Sequence, residues 1–204
     1  MQNNIILILQ IITVDFFTAF GLYSLLFLLV SIFFKKPILF ALDEETSKFI
    51  SFVGILYLLV WVTGIIFFYA VGDVEEQNQM IHRMFGKYWF GFWTQSILWF
   101  AVTQLLRIKR VRKNVLLRIL FSFLLIVSIE KFVILTVTFH RDYLPGSWTM
   151  YNDLEIFPSN FVLALLAKII MFLVFVGIYY LISKQLKIIV STKILKRNKQ
   201  KTSS

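Results

Sequence analysis

Cysteine is absent from the 204 residues, and histidine occurs only at positions 82 and 140. The first absence excludes disulfides, thiolate zinc sites, iron–sulfur ligation by this chain and covalent c-type haem attachment. The second leaves almost no material for a histidine-built metal site. Three prolines and eight glycines provide no linker-like stretch, and no internal repeat is detectable. Gly-rich phosphate loops and carboxylate-rich metal motifs are also missing, which argues against the common soluble enzyme classes. Acids number 11 against 21 Lys and Arg, a formal net charge of +10.

What the chain has in excess is apolar side chain. Hydrophobic residues make up 59% and the mean hydropathy is +0.80, where an ordinary soluble domain has roughly 45–50%. That much apolar surface excludes disorder as well. A bilayer core of about 30 Å needs about 20 apolar helical residues, and five segments qualify: 5–34, 49–71, 88–106, 115–139 and 161–182. None carries the 3.6-residue polar stripe of a soluble amphipathic helix, and none alternates like a membrane strand. The expectation is an all-α integral membrane protein, a bundle of five transmembrane helices over 1–183 followed by a basic tail over 184–204. The first segment lacks the basic start and small-residue cleavage pattern of a signal peptide, so it reads as a retained helix.

The basic residues then orient the bundle. Loop one (Lys35, Lys36, Lys48) holds three, loop three (Arg107, Lys109, Arg110, Arg112, Lys113, Arg118) holds six, and the tail holds seven, so sixteen of the 21 fall on one side. The opposite loops hold Arg83, Lys87 and Arg141 with six acids. The positive-inside rule therefore predicts an outside N-terminus and an inside C-terminus. The tail reads as polar and mobile beyond one or two helical turns. It serves as an anchor, with acidic lipid head groups as the alternative partner. Bases on membrane-flanking loops, with no folded basic face, give nucleic-acid binding little support.

Apart from Arg118, counted with loop three, four charged residues fall inside spans: Asp15, Glu130, Lys131 and Lys168. Each is costly in hydrocarbon and should face the bundle interior and pair. Glu130 and Lys168 sit roughly 13 and 10 Å from the same membrane face at 1.5 Å per residue, so they are expected partners. Lys131 turns toward another group, and Asp15 lies nearer the outer edge of span one. Such pairs either only hold helices together or line a proton-accepting, quinol-binding pocket, because quinol oxidation releases protons that need a carboxylate or imidazole. Snorkelling of Lys168 to the interface is a further option. Tyr88, Trp89, Phe90, Phe92 and Trp93 open span three, where an interfacial aromatic belt explains them and stacking on a quinone ring is the alternative. His82 and His140 sit at span edges, unsuited to buried haem ligation.

The stretch Glu130-Lys131-Phe132-Val133-Ile134-Leu135, with His140-Arg141-Asp142-Tyr143-Leu144-Pro145-Gly146-Ser147-Trp148, resembles a family signature. It is similar to the NrfD-like, polysulphide-reductase membrane subunits, and within them to the quinone-binding membrane subunits of bacterial alternative complex III. Gly86 to Trp93, and Gln104 through Arg112, resemble that family's pattern too, so the likeness spans roughly residues 72–185. Members carry eight to ten spans, against five here. Gly146 stands where the family has serine, Thr103 where it has proline, and Trp99 and Phe100 lie where an Asn is expected.

The resemblance implies a membrane subunit of a quinone-linked respiratory complex in the bacterial inner membrane. Quinone or quinol would be its ligand, and iron–sulfur or haem centres would reside on partner subunits. Glu130, His140 and Asp142 are then the candidate proton- or quinol-handling residues. Lys168, Arg141, Trp148 and Trp89 are the candidate ligand contacts, while Asp15 and Lys131 are candidate structural ion-pair residues. No metal or haem is expected in this chain. The rival expectations are a non-catalytic accessory subunit of a larger membrane complex and, more weakly, a small transporter or channel.

Overall fold

The computed structural model describes residues 2–87, 89–127 and 161–201. Every regular element among them is helical. In chain order these are α1 (Gln2–Gln10), a π-helical segment (Ile11–Phe17) and α2 (Thr18–Phe33), which together form one continuous rod. Then follow α3 (Pro37–Val71), α4 (Val74–Phe85), α5 (Trp89–Leu105), α6 (Lys109–Lys113), α7 (Val115–Ile126) and α8 (Phe161–Lys201). Among the described residues, three stretches are long and apolar enough to cross a bilayer: Asn4–Phe33, Pro37–Val71 and Val162–Val190. In their most apolar windows no more than 39% of the residues are buried within the protein. Soluble proteins do not leave so much contiguous apolar surface to water. A lipid environment satisfies it, and the chain is a membrane protein.

The turns follow local chemistry. Pro37 occupies the first turn of α3, where its missing N–H costs nothing. Asp73 caps α4, its Oδ1 accepting from the Glu76 amide at 2.8 Å. Asn114 caps α7 in the same way, accepting from the Leu117 amide at 3.2 Å.

Three differences from the sequence reading concern how far helices run. Residues 37–48, expected as loop, are the first third of α3, because only a three-residue step, Phe34, Lys35 and Lys36, separates the helices. The expected loop after span two contains α4, an amphipathic helix held to its neighbours by Gln77 Nε2 donating to the Tyr69 and Gly72 carbonyls at 3.0 and 3.1 Å. The tail, expected to leave the helix after one or two turns, stays helical: α8 continues to Lys201. Its mixture of lysines with Ile, Leu and Val is a good helix composition, and hydropathy reports where a helix leaves lipid, not where it ends.

The core is a stack of aromatic rings. Phe17, Phe20, Ile50 and Phe172 are fully buried. Phe172 of α8 meets Phe20 and Phe49 edge-on or tilted at centroid distances of 6.0 and 5.5 Å, in the range where ring quadrupoles attract. Small residues let backbones approach. A Cβ on Gly54 of α3 would overlap the Thr103 side chain of α5. Beside it Ser51 Oγ donates to the Thr103 carbonyl at 2.8 Å and Gln104 Nε2 to the Ser51 carbonyl at 2.9 Å. Gly21 of α2 packs as closely on α7, where an added Cβ would stand 2.9 Å from the Ser122 carbonyl oxygen. Small surfaces with interhelical hydrogen bonds are how helices associate where no hydrophobic drive exists.

Candidate functional site

Three features gather the polar chemistry of this apolar chain. The first is the π-helical segment. An extra residue in the turn widens the helix and re-aims its side chains, which is why such segments concentrate at functional positions. Here it carries Asp15, 4% exposed, inward between α3 and α8. From α8, Lys168, 1% exposed, places Nζ 3.3 Å from Asp15 Oδ1. Phe16 and Phe17 flank the carboxylate and pack on Phe49, Phe175, Tyr57 and Trp99. Phe172 lies one turn beyond Lys168 on the same face. Burying two charges is tolerated only when each holds the other.

The sequence reading named both residues but placed Asp15 near an outer edge and paired Lys168 with Glu130. The described partner of Lys168 is Asp15. Glu130 and Lys131 lie outside the described residues, as do His140, Arg141, Asp142 and Trp148.

About 13 Å farther along the first rod, nine residues at 1.5 Å each, stands the second feature. Arg118 of α7, 2% exposed, forms a two-pronged bond with Asp43 of α3, 4% exposed. Nη1 donates to Oδ2 at 2.9 Å and Nη2 donates to Oδ1. Nε donates to Ser24 Oγ of α2 at 2.7 Å, and the guanidinium lies 4.4 Å from the Phe27 ring centre. Arg112 approaches the same carboxylate at 3.7 Å. The planar fork of arginine matches a carboxylate as lysine cannot. Three helices are thus fastened by one side chain. Just below, the Tyr23 hydroxyl is buried without a hydrogen-bond partner among the described residues.

Counting loop charges hides this site, because Arg118 reads as one of six topology signals. A signal was present. Arg118 follows three residues of an apolar helix, and Ser122 one turn later donates its hydroxyl back to the Arg118 carbonyl at 2.8 Å. Asp43 likewise stands before Thr46 and Ser47, whose hydroxyls both donate to the Asp43 carbonyl.

The third feature is a cavity of about 330 Å³ at the opposite end of the bundle, roofed by α4. Trp61 and Phe68 of α3 and Phe92 of α5 form its apolar walls, and Glu76, Gln79 and Arg83 of α4 stand at its mouth. Trp61 and Phe92 stack at 5.5 Å, and Trp93 adds a third ring at 5.6 Å from Trp61. Trp93 Nε1 donates to the Met84 carbonyl at 2.9 Å, fixing α4 over the opening. Of the aromatic group singled out in the sequence, Phe92 lines the cavity, whereas Trp89 is 54% exposed and lies outside it. His82 is exposed on the outer side of α4. Among the described residues no group of three or more His, Asp or Glu could hold a metal ion.

No family model, curated protein or solved structure matches this chain.

Proposed function

We propose that the protein is a membrane subunit of a quinone-linked electron-transfer complex of the bacterial inner membrane, and that the cavity under α4 is where a quinone ring enters. The observation that carries this reading is the composition of that cavity. Flat aromatic walls from Trp61, Phe68 and Phe92 suit a planar ring. Arg83 and Gln79 offer donors to a quinone carbonyl, and the Glu76 carboxylate can take a proton released from a quinol. Apolar walls with a few convergent polar groups are the usual make-up of a small-molecule site. The resemblance over residues 72–185 covers α4 and α5 and points to the same ligand class.

In this reading five helices span the membrane, with the N-terminus outside, the C-terminus inside and the α4 cavity facing outward. The chain has no cysteine and only two histidines, so in this reading electrons pass to a partner carrying iron–sulfur clusters or haem. Glu130, His140 and Asp142 would serve at the same outer face as proton acceptors.

A second reading, an accessory subunit that touches no substrate, is favoured by the buried ion pairs. Asp15–Lys168 and Asp43–Arg118 each join different helices, which is what helix packing alone requires. Purification in mild detergent separates the two. Co-purification of haem- or iron–sulfur-bearing subunits together with extractable quinone is expected from the first. Redox subunits without quinone on this chain point to the second, and a monomer free of both contradicts the quinone-linked reading.

A further inference from the structure

At the basic end of the bundle a second kind of pocket opens, unrelated to the quinone cavity. It measures about 530 Å³ and lies between α3, the α5–α6 connection and α8. Five cations line it: Lys48, Arg107, Lys109, Arg112 and Lys187. Two carboxylates, Glu44 and Glu45, share it and are already engaged. Lys48 Nζ lies 3.1 Å from Glu44 and 2.8 Å from Glu45, and Arg112 reaches Glu44 at 3.6 Å. Among the described residues Arg107, Lys109 and Lys187 form no ion pair within 4 Å, although Lys109 is near enough to Glu44 to interact with it electrostatically. The pocket therefore keeps an excess of three positive charges.

Its other wall is apolar. Phe52 and Ile55, on the next turns of α3, are 49% and 42% exposed and continue from the cations toward the hydrocarbon-facing part of the helix. A charged rim over an apolar track is the shape of an amphiphile whose anionic head sits at the interface. A second cavity of about 640 Å³ adjoins on the far side of the same two cations. It also contains Lys109 and Arg112, adds Lys113, and has Phe27, Leu28 and Phe40 as its apolar side. Asp43, Glu44 and Arg118 line it as well, so the two openings together hold seven cations against three carboxylates and share Lys109, Arg112 and Glu44.

We propose that this end of the protein binds an anionic phospholipid, with Arg107, Lys109 and Lys187 holding the phosphate and an acyl chain lying along Phe52 and Ile55. The paired openings fit a lipid with two phosphates, such as diphosphatidylglycerol, better than one with a single phosphate. Basic pockets between membrane helices take such head groups because cations near an anionic lipid surface each contribute about fivefold in affinity. Only one of its bases, Lys187, belongs to the basic tail; Lys48 lies on α3, Arg107 on the α5–α6 connection, and Lys109 and Arg112 on α6.

The test is native mass spectrometry of the full chain released from micelles doped with diphosphatidylglycerol, phosphatidylglycerol or phosphatidylcholine at equal mole fraction. Retention is expected in that order, with at least about a tenfold preference for diphosphatidylglycerol over phosphatidylcholine. The triple variant Arg107→Ala, Lys109→Ala, Lys187→Ala should lose that preference. Lys35→Ala with Lys36→Ala, which removes equal charge type outside both cavities, should keep it. Replacing Lys109 and Lys187 with Arg should retain binding and shows that charge, not fold disruption, is being read. Equal retention of the zwitterionic lipid, an unaffected triple variant, or equal loss in the Lys35/Lys36 control would each overturn the site. Suppression of lipid retention by free inorganic phosphate at millimolar concentration would also overturn it, because a small anion then accounts for the cations without the apolar track.

Discussion

The two buried ion pairs look alike in a list of contacts and differ in kind. Asp43–Arg118 is a fork: two donors meet two acceptors, a third donor reaches Ser24, and Phe27 covers the guanidinium. Asp15–Lys168 is a point contact of 3.3 Å between a compact ammonium and a carboxylate on a π-helical turn. A guanidinium keeps its proton and its plane, so the fork can only hold or break. An ammonium rotates freely about its stem and adapts to small shifts. The fork near the basic end therefore behaves as a rivet for α2, α3 and α7. The lysine pair joins the first rod to α8 at the level of the aromatic core and tolerates adjustment.

Removing one side of the rivet should have the largest effect. Arg118→Leu leaves the Asp43 carboxylate buried without its fork, a loss of about 3–5 kcal/mol, read as a lower thermal midpoint in detergent. Asp43→Leu combined with Arg118→Leu should recover most of that loss, because the uncompensated charge is gone. Failure of the double variant to recover would mean that the Ser24 and Phe27 contacts carry the joint. Arg118→Lys sharpens the contrast: it keeps the charge and removes the fork, and should still lose about 1.5–3 kcal/mol.

At the other pair, exchanging the partners, Asp15→Lys with Lys168→Asp, should lose less stability than Lys168→Leu alone, since a compact ammonium needs no planar fork and no buried charge is left uncompensated. The same exchange at Asp43 and Arg118 should fail, with Ser24 and Phe27 placed for a guanidinium on α7. The smallest expected effect is at the roof of the cavity. Asp73→Ala removes the cap of α4 and should cost about 1 kcal/mol locally, seen as faster amide exchange over α4 with the global midpoint unchanged.

The two pairs also differ in how far the sequence disclosed them. Asp15 and Lys168 stand out because apolar residues surround them on both sides, and a charge in such a run must have a partner. Arg118 and Asp43 lie within one or two turns of basic and acidic clusters, where a charge passes as an interfacial residue. Only the facing helices distinguish them from their neighbours, and no periodicity in one strand of sequence records which helices face. The three long apolar helices, Asn4–Phe33, Pro37–Val71 and Val162–Val190, were legible from apolar run length. The helical nature of residues 37–48 and of 184–201 was not, because lysine-rich turns are equally compatible with helix and with loop. The cavity under α4 was invisible for a different reason. Its walls come from Leu9 of α1, Trp61 and Phe68 of α3 and Phe92 of α5 under a roof of α4, and each of these residues alone reads as lipid-facing apolar surface.

The most direct test of the quinone-site reading is photolabelling of the full chain with a short-chain azido-naphthoquinone, followed by peptide mass spectrometry. Adducts are expected on the α4–α5 segment around Met80 and Phe92, competed by excess unlabelled naphthoquinone and strongly reduced by Arg83→Ala. Labelling spread evenly over the lipid-facing surfaces of α3 and α8, indifferent to competitor and to Arg83→Ala, would contradict it.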